Sequence, residues 1–324
     1  MALQSTVVGS YPKPPEEGGS FALRKTLQAW QRGEVGEAEL AGARRDLARE
    51  IIAEQEAAGI DLVTDGHVWW DDILTPFAGN MAGFEIGGLL RWFDNNVYYR
   101  RPVCVDEIEW RGPSSIEAWR FAQSVAGGPV KAVIPGPVTF ARLSVDEHYG
   151  DHGRFVEAIA SVLAQEAFEL EAAGARFIQI DEPALLGAPE DLELAKRAIG
   201  QASGQLEAAT TILCTYFGDA KRLGAELFEL PVDSFGLDFV AGPDNRELIA
   251  SLPAGLGLQA GVVDARNTRL ETTDEVAATI DDLASGVGAD NLTVSPSAGL
   301  EFLPRDKAKA KLERLAQAAA RVQG

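Results

Sequence analysis

Apolar residues recur along this chain in two rhythms. Short β-branched runs alternate with long segments whose apolar positions follow the helical period. Eight runs read as strands: residues 6–9, 61–65, 130–135, 176–181, 211–216, 234–238, 256–263 and 292–295. Each ends in polar, Gly or Pro residues and leads into a helical stretch. Residues 36–59 predict a helix with Leu40, Leu47, Ile51 and Ile52 inward and Gly59 placed to stop it. Residues 154–174 repeat the design, with Phe155, Ile159, Leu163 and Phe168 expected inward and Gly174 as the stop. The next strand follows within two residues, a normal connection between a helix and a parallel strand.

Eight strand–helix units in 324 residues predict an α/β fold, a TIM (β/α)8 barrel spanning 1–324 as a single domain. An open doubly wound sheet is the other arrangement. No G-x-G-x-x-G follows the first strand, which counts against a dinucleotide-binding version of it. Residues 83–110, GFEIGGLLRWFDNNVYYRRPVCVDEIEW, alternate and are rich in aromatics but lack a helical period. They predict an inserted hairpin or lid between the second and third units.

Charge removes several classes of function. Lys plus Arg is 29 and Asp plus Glu is 49, a formal net charge of −20. Such a field repels phosphate backbones and anionic membrane surfaces, so no nucleic-acid or membrane partner is expected. No apolar run reaches the roughly 18 residues of a membrane span. The N-terminus lacks the basic-then-apolar pattern of a signal peptide. Two cysteines, Cys104 and Cys214, could close one disulfide at most. A cytoplasmic protein is expected.

In a barrel the strand C-termini and the loops after them build the active site, and that rule selects candidates directly. They are Gly9 and Ser10 after the first strand, His67 and Trp69 after the second, Asp181 and Glu182 at the end of the fourth, Cys214 and Tyr216 on the fifth, and Asp238 on the sixth. The insertion adds Asn95 to the candidate substrate-binding set. Adjacent carboxylates at a buried strand end repel, which raises at least one pKa. Asp181 and Glu182 could hold a substrate ammonium or act as acid and base, or could cap the helix that begins near Pro183. His67 reads as an acid/base group or as a packed imidazole. Cys214 reads as a reactive thiol or as a small core residue.

These residues occur within VVGSYPKP at 7–14, TDGHVWWDD at 64–72, IPGPVTF at 134–140, IQIDEPAL at 178–185, CTYFGD at 214–219 and VSPSAGLEFLP at 294–304. In that order the segments resemble the cobalamin-independent methionine synthase family, across the whole chain. The resemblance implies a TIM barrel that transfers a methyl group to homocysteine or a related small thiol or amino-acid acceptor. It implies zinc to hold the thiolate, and methyltetrahydrofolate or a methylcorrinoid as donor. Partners would be the small-molecule substrate and, for single-barrel relatives, a corrinoid protein or a second barrel subunit. Gly9 and Ser10 would contact the amino-acid carboxylate, and Asp181, with Glu182, the ammonium. His67 stands where the family has a second carboxylate, which suggests a general base. The family's zinc ligands are His-x-Cys on strand five, Glu on strand six and Cys after strand eight. Here Cys214 and Asp238 are the metal candidates: Cys214 takes the Cys place if Ile212 takes the His place, whereas Leu213 and Thr215 fall at those places if Tyr216 sets the register, and Ala298 stands at the last Cys. A metal-free lyase or decarboxylase, using His67 and Asp181 with Arg91, Arg100 or Arg101, is one alternative. A non-catalytic binding subunit is another.

Overall fold

The computed structural model describes residues 3–15 and 21–323. The first third contains β1 (Gln4–Ser5), α1 (Ala22–Gln31), α2 (Glu37–Ala57), α3 (Thr75–Gly79), β2 (Met81–Arg91) and β3 (Tyr98–Trp110). The middle contains α4 (Ile116–Val125), β4 (Ala132–Pro135), α5 (Pro137–Arg142), β5 (Val145–Asp146), α6 (His152–Ala172), β6 (Phe177–Asp181) and α7 (Leu192–Ser203). The last third contains β7 (Thr210–Cys214), β8 (Ser234–Asp238), α8 (Asn245–Leu248), β9 (Gly257–Val263), α9 (Thr273–Val287), β10 (Leu292–Pro296) and α10 (Arg305–Gln323).

Seven strands form one sheet in the order β1-β10-β9-β8-β7-β6-β4, and every pair in it is parallel. The sheet curls until both edges reach one segment: Thr6 bridges Leu62, and Val63 bridges Val130, each in parallel. This is an α/β fold of the TIM-like barrel kind. The expected strand 61–65 contributes only those bridges, because side chains satisfy much of its backbone. Gln55 pairs with both the N–H and the C=O of Thr64, each at 3.0 Å, and the Asp61 N–H donates to the Ser5 hydroxyl at 3.2 Å.

The helices pack their apolar stripes on the sheet. Leu40, Leu47, Ile51 and Ile52 of α2 are buried, as are Phe155, Ile159 and Leu163 of α6. Phe168 corrects the expectation, being 42% exposed. It falls five residues after Leu163 and so rotates off the stripe that Ala167 and Leu170 continue. Cys104 and Cys214 are both buried and unpaired.

Residues 81–110 leave the barrel. β2 and β3 pair antiparallel from Met81↔Trp110 to Arg91↔Tyr98, and β5 adds to β3 in parallel. The register shifts between Ala82 and Phe84, where Gly83 adopts a φ of 82°. A Cβ there would lie 2.5 Å from two carbonyl oxygens of β3, so the bulge requires glycine.

One contact fixes how β6 meets its neighbour. The Glu182 carboxylate turns to the start of α5, accepting from Val138 N–H at 3.1 Å and from Thr139 N–H. Gly136 makes room, since a Cβ would lie 2.2 Å from Glu182 Oε2. Glu182→Gln puts an amide donor against one of those N–H groups. It should lower the unfolding free energy by about 2 kcal/mol, measured by urea titration, with the slope unchanged. A loss below about 0.5 kcal/mol would show that this contact does not hold the loop.

Candidate active site

A cavity of about 240 Å³ opens where the chain leaves β1, β6, β7 and β10. Much of its apolar wall comes from Trp92, Val97, Tyr98 and Tyr99, around the turn between β2 and β3.

Asp181, the last residue of β6, lines it and is 2% exposed. Gln179 Nε2 donates to one carboxylate oxygen at 2.6 Å, and the Tyr216 hydroxyl to the other at 3.1 Å. Burial raises the Asp181 pKa to about 7, although those two donors pull it down. Glu182 is raised to about 7 as well, again chiefly by burial. The two carboxylates serve different places: Glu182 is absent from the cavity wall and caps α5. The sequence therefore located the pair but not this division.

Glu301, also on the cavity wall, accepts a hydrogen bond from the Ser10 hydroxyl. Burial raises Glu301 too. Gly299 permits the pairing, because a Cβ there would crowd both Glu301 Oε2 and Ser10 Oγ. Lys13, Asp71 and Asp72 also line the cavity, and the Lys13 ammonium donates to the Trp70 carbonyl. Burial lowers the Lys13 pKa, opposed by Asp71, Glu301 and Asp65.

His67 lines the same cavity in a left-handed conformation, with φ 51°. Its ring stacks on Trp70 at 3.9 Å and lies against Gly9, where a Cβ would come within 2.5 Å of Cε1. Nε2 is buried with no protein partner. Burial drives its pKa down to about 3, and the Lys13 and Lys131 charges add to the fall. A ring with so low a pKa is neutral near pH 7 and is a weak base toward a thiol. The neutral ring keeps a polar atom to offer a ligand.

Trp70, Ile73, Trp92, Tyr98, Tyr99 and Phe217 supply the apolar wall. Asn95, expected at the substrate, lies outside this wall and lines a neighbouring cavity that shares Glu301. It sits at the hairpin tip, hydrogen-bonded to the Trp92 carbonyl at 3.3 Å and to Arg266 at 3.2 Å. Arg266 also pairs with Asp94 at 2.9 Å and lies 5.0 Å from the Phe217 ring centroid. Phe93 and Phe217, whose rings are 5.5 Å apart, have φ values of 51° and 74°. Trp69 is likewise outside the wall, edge-on to Phe121. Gly9 backs the His67 ring, and its carbonyl accepts from the Thr64 hydroxyl at 2.7 Å. Arg91, Arg100 and Arg101 do not line the cavity, which leaves the lyase reading without its carboxylate anchors.

Lys13 and Glu301 escaped the sequence reading although both lie inside the motifs it used. Only their convergence on one cavity marks them.

The residues do not fit the zinc that the family implies. Cys214 and Ile212 share one strand face by the two-residue period. The Cys214 thiol, 3.6 Å from Gln259 Nε2, is pushed well above its ordinary pKa by burial. Both Asp238 oxygens are taken by backbone N–H groups of Phe217, Val240 and Ala241 at 2.8 to 3.1 Å. Ala298 offers a methyl group. Among the described residues no group of three or more His, Cys, Asp or Glu could hold a metal ion. A zinc site needs three or four such ligands.

Comparison with known proteins places the chain. Residues 3–321 match the family model described as cobalamin-independent synthase, catalytic domain. The chain is 31% identical to a methionine synthase of Pyrococcus abyssi over 98% of its own length and 91% of the relative's. It is 32% identical to a methionine synthase of Saccharolobus solfataricus, over 96% and 92%. Its fold superposes with a TM-score of 0.87 on a B12-independent methionine synthase from Shewanella sp. W3-18-1 in complex with selenomethionine, at 23% identity over 99% and 98% of the two chains. The chain thus belongs to the cobalamin-independent methionine synthase family, which it matches over the catalytic domain.

Proposed function

We propose that this methyltransferase acts on a small sulfur-containing amino acid of the homocysteine type, held head-first against Asp181. The observation that carries the reading is the Asp181 carboxylate, oriented by Gln179 and Tyr216 at the cavity wall. A substrate ammonium docks there, and the Lys13 ammonium attracts its carboxylate. The sulfur chain lies along Trp70, Trp92 and Phe217, where polarizable sulfur packs well against rings.

The thiol must lose its proton before sulfur takes the methyl group. His67 is too weak a base for this. Glu301 lines the cavity, is raised by burial and is not engaged with α5 as Glu182 is, so it accepts the proton. Sulfur then uses its freed electron pair to bond the methyl carbon, and the pair of the broken bond leaves with the donor. No step is routed through zinc.

The hairpin is the lid in this reading. Its tip carries Trp92, Tyr98 and Tyr99 onto the wall, and Arg266 is the latch.

Calorimetry of methionine binding tests the head-group reading. Asp181→Asn should weaken methionine about 100-fold, the order expected for a buried charge-assisted contact. Binding of 4-(methylthio)butanoate, which lacks the amine, should change less than about threefold. With Asp181 at about 7, its carboxyl is largely protonated below that pH and ionised above it. The ligand amine stays charged throughout, so affinity should climb between about pH 6 and pH 8 in the parent protein and stay flat in the variant. Equal loss for both ligands would reject the assignment.

Elemental analysis after incubation with excess zinc should return well below about 0.2 zinc per chain. One zinc per chain would overturn the reading of Cys214 and Asp238. Arg266→Ala should raise the methionine off-rate about tenfold by stopped flow while shifting stability by less than about 1 kcal/mol. An unchanged off-rate would mean the hairpin does not gate the site.

A further inference from the structure

A lysine sits inside the barrel, and the reaction above does not use it. Lys131 directly precedes β4, and its side chain is 1% exposed. Its ammonium donates to Gln179 Oε1 at 2.6 Å and to Gln259 Oε1 at 2.9 Å. Both acceptors are neutral amides. Burying an ammonium among neutral groups is expensive unless a counter-charge is close. The structure supplies one at a distance of a single side chain. Gln179 receives the lysine on its oxygen and donates its Nε2 to Asp181 Oδ1 at 2.6 Å and to the Val8 carbonyl at 2.8 Å. Lysine, glutamine and aspartate therefore form one directed chain ending at the cavity. The Gln179 amide cannot flip without turning its NH2 toward the ammonium and its oxygen toward the carboxylate. Gln259 Nε2 also donates to Gln179 Oε1, at 3.2 Å, so Lys131 and Gln259 together with the Val8 carbonyl orient Gln179, and Gln179 with Tyr216 orients Asp181.

We propose that Lys131 is a positioning residue which, through Gln179, keeps the Asp181 carboxylate ionised and aimed into the cavity for a ligand ammonium. The proposal deepens the function given above and rests on it for the identity of the ligand. The charge balance supports it. Burial lowers Lys131 to about 8, while Cys214 and Asp181 pull it back up. Asp181, raised to about 7, feels Lys131 as a lowering influence. The other groups bearing on Asp181 are Gln179 on its own strand, Tyr216 and the Cys214 thiol beside it, and Glu301 on the cavity wall. Glu301 opposes ionisation, and Lys131 is the cation that favours it. An ammonium separated from the carboxylate by an amide stabilises the anion without occupying the place where a ligand amine docks. A direct ion pair would block it.

Two variants and two readouts test this. Lys131→Met removes the charge at similar length. Gln179→Met keeps the charge and breaks the link, so the test survives if one variant fails to fold. By calorimetry each should weaken methionine about 30-fold or more and 4-(methylthio)butanoate by less than about threefold. Equal weakening of both ligands, or unchanged methionine affinity, overturns the proposal in favour of a structural role. The second readout needs no ligand. Carboxylate infrared difference spectra, with Asp181→Asn as the reference, follow the Asp181 ionisation directly. The midpoint should rise by about one pH unit or more in Lys131→Met. An unmoved midpoint overturns the proposal whatever the ligand. If the midpoint rises but the parent protein binds no methionine, Lys131 keeps its role and the homocysteine-type substrate is wrong.

Discussion

Polar groups buried in the barrel are held mostly by partners on other elements, and this constraint organises the site. Burial limits the solvent that could satisfy a stray donor, and a buried unpaired group costs about 1–3 kcal/mol. The solutions seen here are all cross-links. Gln55 reaches from α2 to Thr64, Lys131 from before β4 to Gln179 on β6 and Gln259 on β9, and Asp238 from β8 to the loop after β7. Glu182 reaches from β6 to α5. These links hold the strand ends in register where the cavity opens, so the chemistry rests on the same bonds as the fold.

The sequence revealed the site as far as placement alone decides it. Strand ends converge in a curled parallel sheet, so Ser10, His67, Asp181 and Tyr216 reached one cavity as their positions implied. What each group does there was not legible, because burial and partners are properties of the assembled chain. Glu182 follows Asp181 directly, and the turn after β6 sends it to α5 instead. Nothing local in His67 announces a neutral ring pressed between Gly9 and Trp70. Trp69 and Trp70 are neighbours in sequence, yet only Trp70 reaches the cavity. Boundaries slipped for a related reason: side chains took over the backbone hydrogen bonds expected of strand 61–65.

The donor set shows how a family fold and its metal can part. An alkyl side chain, a thiol, a carboxylate and a methyl group, those of Ile212, Cys214, Asp238 and Ala298, occupy the positions where the resemblance calls for ligands. Each is locally satisfied or apolar. Ala298 is buried, and Asp238 is fully engaged with the backbone. The cation described in the barrel interior is an ammonium on two amide oxygens.

Three residues other than glycine have positive φ among those described: His67, Phe93 and Phe217. Two line the cavity, and the third packs on the ring of the last. Such conformations store on the order of 1 kcal/mol or more each. Laboratory evolution for heat resistance would therefore meet its easiest gains here, with glycine or asparagine replacing these side chains. Variants selected that way would tolerate higher temperatures while losing the aromatic wall that grips sulfur, so thermal tolerance and turnover should diverge at these three positions before any others.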